Sequence, residues 1–168
     1  MTEATPHPVH PLIGEAMRKA ALAWLEVPGQ RAVAAWIVWH EGAGYVVHGG
    51  GEQPLSGLAD ADRCRVVVRS GDNGARIVGW PAAVSRVAPG TEEWATVVPQ
   101  LLGKRLNLPE PNSAEERWAM GSTVSRLAPD GDPEEQLPAG SLAEAPPPTP
   151  AATEARVPFT LHRRPRPR

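Results

Sequence analysis

The fold of this chain is decided by residues 65–87, which read RVVVRSGDNGARIVGWPAAVSRV. Two runs rich in β-branched residues, 65–70 and 75–87, flank the pair Asn73-Gly74. Asn-Gly is the strongest short-range signal for a β-hairpin, because both central residues of a type I′ turn need a positive φ. The stretch therefore predicts two antiparallel strands joined by a tight turn.

A second predicted hairpin precedes the first. Residues 31–40, RAVAAWIVWH, are rich in β-branched and aromatic side chains and apolar on both faces, which is typical of a strand covered on both sides. The glycine-bearing segment 41–44 predicts a turn, and residues 45–48 return as the partner strand. Because hairpins rather than helical crossovers join these strands, the sheet is expected to be antiparallel.

Helices are predicted on either side of the strands. Apolar residues at helical spacing predict an amphipathic helix over Pro11–Val27. Thr91 is suited to cap a second helix that runs to about residue 106, and residues 117–128 predict a last strand. The order is helix, four strands, helix, strand. We expect a mainly β fold in which the antiparallel strands close into a small barrel flanked by helices.

Composition divides the chain into three segments. We expect a flexible N-terminus over residues 1–10, one domain over residues 11–131 and a disordered tail over residues 132–168. The tail is rich in proline, alanine and arginine and has no hydrophobic period, so it cannot bury enough apolar surface to offset the entropy of ordering.

The overall balance of residues excludes several classes of protein. The formal charge of −2 does not favour nucleic-acid binding through bulk electrostatics. The single cysteine, Cys64, rules out an intramolecular disulfide and fits a reducing compartment, so we expect the cytoplasm. Nothing approaches the roughly 18 consecutive apolar residues that a membrane-spanning helix needs.

One face of the predicted hairpin carries the main candidate site. A two-residue loop at Asn73-Gly74 would place Arg65 and Arg69 on the same face as Trp80, together with Arg76. Guanidinium groups beside an indole suit a ligand with a phosphate and a flat ring system. The alternative is a solvated or subunit-facing sheet surface that the charges keep soluble.

Other candidate motifs are weaker. Gly49-Gly50-Gly51 could present backbone N–H groups to an anion or serve as a flexible connection. His40 and His48 flank the first turn, but the hairpin geometry predicts that they point to opposite faces, so no metal site is expected. No serine lies in a glycine-flanked elbow, which argues against a hydrolase.

Three segments resemble a known family. They are AVAAWIVWHEGAGYVVHGGGEQPLSGL (32–58), RCRVVVRSGDNGARIVGW (63–80) and EEWATVVPQLLGKRLN (92–107). Together with the order of elements, they resemble the pyridoxamine 5′-phosphate oxidase-like, FMN-binding split-barrel proteins, in particular small actinobacterial members. The resemblance implies a split barrel, a homodimer, and FMN at the subunit interface. Relatives use haem or a deazaflavin instead.

The resemblance also implies which residues hold the cofactor. In such proteins the flavin phosphate is held by the loop after the second strand and by the following strand. The residues assigned to cofactor binding on this basis are His48, Gln53, Arg65, Arg69, Ser70 and Trp80. No side chain is assigned a catalytic role.

Two functions remain open at this stage. The first is an FMN-dependent oxidoreductase, in which the cofactor supplies the chemistry and the protein supplies placement. The second is a cofactor-free split barrel that acts as a dimeric interaction or scaffold protein. The second is favoured by Glu52, which puts a carboxylate where many flavin-binding relatives have a Ser-x-Lys motif.

Overall fold

The computed structural model describes residues 8–71, 74–105, 108 and 110–134. Short 3₁₀ turns lie at Leu58–Asp60 and Pro111–Ser113. Most of the predicted N-terminal and C-terminal segments, 1–10 and 132–168, lies outside the described residues. The helices and strands are α1 (Pro11–Lys19), β1 (Leu22–Glu26), β2 (Val33–Trp36), β3 (Val38–His40), β4 (Ala43–His48), β5 (Arg63–Arg69), β6 (Arg76–Val87), α2 (Glu92–Lys104), α3 (Ala114–Gly121) and β7 (Thr123–Pro129).

The seven strands of the described chain form one antiparallel sheet in the order β2-β1-β5-β6-β7-β4-β3. The sheet curls so that side chains of β2 and β4, near its two ends, pack in the same apolar cluster. The predicted mainly β, antiparallel split-barrel fold is confirmed. No helix among the described residues is long and apolar enough to cross a membrane.

The barrel interior is one apolar cluster capped by α1. His10 caps this helix through its imidazole, and Pro11 occupies the first helical turn, where a missing N–H costs nothing. Ile13 and Met17, four residues apart on one face of α1, are almost fully buried against the interior. Trp80 of β6 is the largest fully buried side chain of the interior.

A second apolar cluster lies on the outside of the barrel. There α2 and α3 pack over β3, β4 and the ends of β6 and β7. Thr91 accepts a hydrogen bond from the N–H of Trp94, as the sequence predicts for a cap. Trp94, Val97, Val98 and Leu101 form the buried stripe of α2. Helices therefore cover one part of the outer surface and leave the outer face of β1, β5 and β6 without a described helix over it.

Two segments differ from their predicted structure. The predicted helix over Pro11–Val27 ends at Lys19, and residues 22–26 form β1 instead. Ala23 and Leu25 are buried while their neighbours are not, a period of two that is masked in the sequence by the apolar residues of both faces. The predicted helix is wrong there because pairing with β2 and β5 outweighs local propensity.

The predicted strand over 117–128 is also only partly correct. Residues 114–121 form α3, and β7 begins at Thr123. Ala114 and Trp118 are buried four residues apart, which is the helical period, whereas Val124 follows the strand pattern. The sequence shows one apolar run because the change of period falls inside it.

Cys64 offers a chemical probe of the folded state. The side chain is 5% exposed, and burial raises the pKa of its thiol to about 12. Because only the thiolate reacts, we expect Ellman's reagent at pH 8 to label the native protein at least about tenfold more slowly than the unfolded chain. Labelling in guanidinium chloride is the control. Equal rates in both conditions would contradict the burial of this thiol.

Candidate functional site

The β5–β6 hairpin has a different register from the predicted one. Arg65 lies opposite Pro81 and Val66 opposite Trp80, one residue away from the expected pairing. The turn predicted at Asn73-Gly74 lies partly outside the described residues. On either side of it the N–H of Ser70 donates to the carbonyl of Ala75, and the register shifts at a bulge next to Arg69. A one-residue slip moves every side chain to the other face.

The slip separates Trp80 from the arginines. Val66, Val68, Val78 and Trp80 point into the barrel, where the Trp80 ring meets the edge of Trp39 at 6.1 Å between centroids. The prediction that Trp80 shares a face with Arg65 is wrong. Its indole cannot contact a ligand on the outer surface.

A different indole takes that place. Trp24 of β1 lies opposite Val67, on the outer face of the sheet. The guanidinium carbon of Arg69 lies 4.6 Å from the centroid of a Trp24 ring, which is a cation–π contact. We call the set Trp24, Arg65, Val67, Arg69 and Arg76 the arginine face. The predicted combination of guanidinium groups and an indole is present, with Trp24 as the indole.

Two carboxylates lie against the arginine face. Glu134 accepts from Nε and Nη2 of Arg65, the latter at 2.6 Å, and its Oε2 also accepts from Nη1 of Arg76 at 2.9 Å. Glu26 accepts from Nη1 of Arg65 at 2.5 Å. The Arg76 side chain is only 5% exposed, whereas Arg65, Glu134 and Glu26 are partly exposed. Sequence reasoning missed Glu134 because 69 residues separate it from Arg65.

Charge pairing sets the electrostatics of this cluster. The hydrogen bond from Arg65 holds the pKa of Glu134 below its ordinary value, against the opposite effect of burial. The hydrogen bond to Glu134 in turn raises the pKa of Arg65. Arg65 is thus shared between Glu134 and Glu26, and Glu134 also pairs with Arg76.

The remaining assigned residues lie elsewhere. Gln53 receives a hydrogen bond from the N–H of Trp36 at 2.9 Å and donates to the carbonyls of Trp36 and Val47 at 3.2 and 3.0 Å. Its amide thus joins β2 to β4 at the open seam of the barrel. Ser70 closes the hairpin loop through its backbone. The structure brings Arg65 and Arg69 together on one face but not Gln53, His48 or Trp80.

His48 is buried inside the barrel wall. Its side chain points to the same face as Val46, and its Nε2 shares a 2.9 Å hydrogen bond with Oγ of Ser125 on β7. His40 points to the other face of the same hairpin, as predicted, and contacts Gln100 of α2. Within the described part of the chain no group of three or more His, Cys, Asp or Glu side chains could hold a metal ion.

His48 is expected to make stability depend on pH. Burial lowers the pKa of its imidazole from the ordinary value of 6.5. Below about pH 6.5 the unfolded chain therefore binds more protons than the folded one, and the free energy of unfolding falls as the pH drops. We expect His48→Gln to flatten this dependence between pH 7 and 5 in urea titrations. An unchanged slope in the variant would contradict the assignment.

The glycine loop after β4 serves close packing. A Cβ on Gly50, whose φ is +60°, would lie 2.2 Å from the carbonyl oxygen of Gly121 at the end of α3. Ser122 donates to the carbonyl of Gly49 at 3.1 Å. The loop is thus fastened to α3, and glycine at position 50 is required by this approach.

Glu52, next to this loop, is buried. Its Oε1 accepts from Nε1 of Trp118 at 2.9 Å, and its Oε2 lies 2.7 Å from Nη2 of Arg105 as an ion pair without hydrogen-bond geometry. The side chain is 8% exposed. The Glu52 carboxylate, which stands where many flavin-binding relatives have a Ser-x-Lys motif, therefore links the loop to α2 and α3.

The curled sheet with α1 in its mouth and α2 on its outer wall defines a split-barrel protein. No protein-family model and no curated protein matches the chain. Solved structures do match. HutZ, described as the heme storage protein of Vibrio cholerae, is 15% identical with a TM-score of 0.55, over 76% of this chain and 94% of that one.

Two further structures extend the comparison. A protein described as an F420 reductase is 15% identical with a TM-score of 0.51, over 73% of this chain and 95% of that one. A Clostridium acetobutylicum protein related to general stress protein 26, of the pyridoxinephosphate oxidase family, is 10% identical with a TM-score of 0.47, over 70% and 82% of the two chains. HutZ and the F420 reductase, both with TM-scores above 0.5, show a likeness of fold, which agrees with the split barrel that the resemblance implies.

Proposed function

We propose that this chain binds a flavin-class cofactor, FMN in the first place, on the arginine face and acts as an oxidoreductase of the pyridoxamine 5′-phosphate oxidase-like type. The observation that carries the proposal is that Arg65, Arg69 and Arg76 share one outer sheet face, on which Arg69 lies over the ring of Trp24. No described helix covers that face.

The donor set fits such a ligand. Guanidinium groups bind phosphate in a bidentate manner, and an indole with a guanidinium over it offers a flat surface for a ring system. An open groove of about 400 Å³ lies beside Arg65 and is lined in part by Glu26 and Arg63. When bound, a flavin would supply hydride or electron transfer, while these residues would hold the phosphate and orient the ring.

The neighbours in fold support the cofactor class. Their names include a heme storage protein and an F420 reductase, so large flat cofactors are a common theme of these two structures. Haem and a deazaflavin therefore remain alternatives to FMN for this chain. In keeping with the resemblance, we expect a homodimer in which the arginine face lies near the subunit interface.

Titration with FMN, followed by flavin fluorescence, tests the proposal. Arg69→Ala is expected to weaken binding about tenfold or more, because a charge-assisted contact is worth about 1.5–3 kcal/mol. Arg86→Ala, at an exposed arginine of the neighbouring strand β6, is the matched control and should bind like the wild type. Absence of quenching and of a visible flavin band in the purified protein would refute flavin binding.

A cofactor-free dimeric scaffold is the second candidate. It is favoured by the internal pairing of the charges: Glu134 and Glu26 partner Arg65, and Glu52 fills a buried position next to Arg105. On this hypothesis light scattering should give the mass of a dimer while FMN, haem and a deazaflavin all fail to bind. A monomer without cofactor would contradict both candidates.

A further inference from the structure

We propose that Glu134 is a built-in occupant of an anion site formed by Arg65 and Arg76, and that a phosphate group must displace it in order to bind. The identity of the ligand as a phosphate ester of a flat ring system rests on the proposed function. The site itself rests on the contacts of Glu134.

Glu134 mimics an anionic ligand in its contacts. Both of its carboxylate oxygens face the Nε edge of Arg65 in the bidentate fork that guanidinium groups form with carboxylate or phosphate. Arg76 adds a third donor at 2.9 Å. Two arginines thus donate to one carboxylate. A phosphoryl group, which has three terminal oxygens, would fit between them at least as well as this carboxylate does.

One donor at this site is left over. Nε of Arg76 is buried and has no hydrogen-bond partner among the described residues, although the side chain is only 5% exposed. A buried N–H without a partner costs about 1–3 kcal/mol. A carboxylate offers two oxygens, and both are already used by Arg65. An additional acceptor oxygen would satisfy this donor.

Backbone contacts after β7 hold Glu134 next to Arg65 and Arg76. After β7, the N–H of Asp130 donates to the carbonyl of Pro81 and that of Glu134 donates to Gly79 at 2.9 Å. A Cβ on Gly79 would lie 2.9 Å from Oε2 of Glu134, so glycine makes room for the carboxylate. Arg63 holds Asp130 through a 2.7 Å ion pair. The described attachment after the last strand therefore consists of two backbone hydrogen bonds and one ion pair, besides the contacts of the Glu134 carboxylate.

The consequence is competition within one chain. While Glu134 occupies the site, an external anion cannot bind. The apparent affinity is therefore the intrinsic affinity multiplied by the fraction of molecules in which Glu134 has left the site. If Glu134 is seated in more than nine molecules of ten, removing its charge should tighten phosphate binding about tenfold or more.

The experiment compares four full-length proteins: wild type, Glu134→Gln, Glu134→Ala and Glu15→Gln. Glu134→Gln removes the charge and keeps the size of the side chain, whereas Glu134→Ala removes the whole carboxylate and leaves the position beside Arg65 open. Glu15→Gln removes an exposed charge on α1 and controls for net charge. The probes are FMN, riboflavin, which lacks the phosphate, and inorganic phosphate. Protection of Cys64 from Ellman's reagent shows that each variant is folded.

We expect Glu134→Gln and Glu134→Ala to bind FMN and inorganic phosphate about tenfold more tightly than the wild type, with riboflavin binding unchanged and Glu15→Gln like the wild type. Tighter phosphate binding without any binding of FMN would keep this inference and overturn the proposed function. Unchanged or weaker phosphate binding in both folded variants, beside FMN binding by the wild type, would overturn the inference alone. If one of the two Glu134 variants fails to fold, the other decides by itself.

Discussion

Replacing Trp80 with alanine is expected to lower the free energy of unfolding by about 3–5 kcal/mol, enough to unfold a domain of marginal stability. The side chain has no solvent exposure and lies at the centre of the barrel, packed edge-on against Trp39. Truncation removes the buried indole and its ring contact and leaves a cavity that the surrounding strands cannot collapse to fill. Urea denaturation followed by circular dichroism measures the loss.

Trp36→Ala is the matched control. Trp36 is 36% exposed at the edge strand β2, and its hydrogen bonds to Gln53 come from the backbone, so they survive the substitution. We expect a loss of about 1 kcal/mol or less for this variant. Similar losses for the two variants would show that Trp80 does not hold the barrel interior together.

The second large effect is expected at Glu52. Glu52→Ala should destabilise the fold by about 2–3 kcal/mol, somewhat below the range for a fully buried ion pair because Arg105 is 22% exposed. The substitution leaves the guanidinium of Arg105 without its counter-charge and Nε1 of Trp118 without its acceptor. It also releases the loop that carries Gly50 from α3. Thermal or urea unfolding of the purified variant gives the value.

Glu110→Ala provides the comparison for Glu52. Glu110 is 82% exposed and lies 3.8 Å from Arg117, so this pair is worth less than about 0.5 kcal/mol. If Glu52→Ala cost no more than Glu110→Ala, the link between the loop, α2 and α3 would carry no stability.

For the β5–β6 hairpin, the local sequence predicts the two strands but not their register. The run RVVVR and the Asn73-Gly74 pair predict both strands and their antiparallel pairing, and both are observed. The register depends on a bulge near Arg69, whose energy is decided by what each face then packs against. In the predicted register the interior residues of β6 are Ile77 and Gly79, whereas in the structure they are Val78 and Trp80. The incorrect prediction that Trp80 contacts a ligand results from this one-residue difference in register.

The candidate site depends even more on distant residues. Arg65 and Arg69 were assigned from their spacing of four along one strand, which also puts them on one face in the structure. Trp24 reaches that face only because its segment is a strand rather than a helix. Glu134 reaches it from the far end of the last strand. No short pattern in the sequence connects these three segments.

The amino-acid sequence by itself determined the class of fold through successive hairpins, apolar residues on both faces of the strands and a helix capped at Thr91. It also determined that the single cysteine has no partner in the chain for a disulfide. These are local properties, since turn chemistry and hydrophobic period act over a few neighbouring residues. Only the tertiary structure decided which face the arginines share, which indole joins them and which carboxylate neutralises them. Those outcomes depend on contacts between residues far apart in the chain, whose energies no local pattern contains.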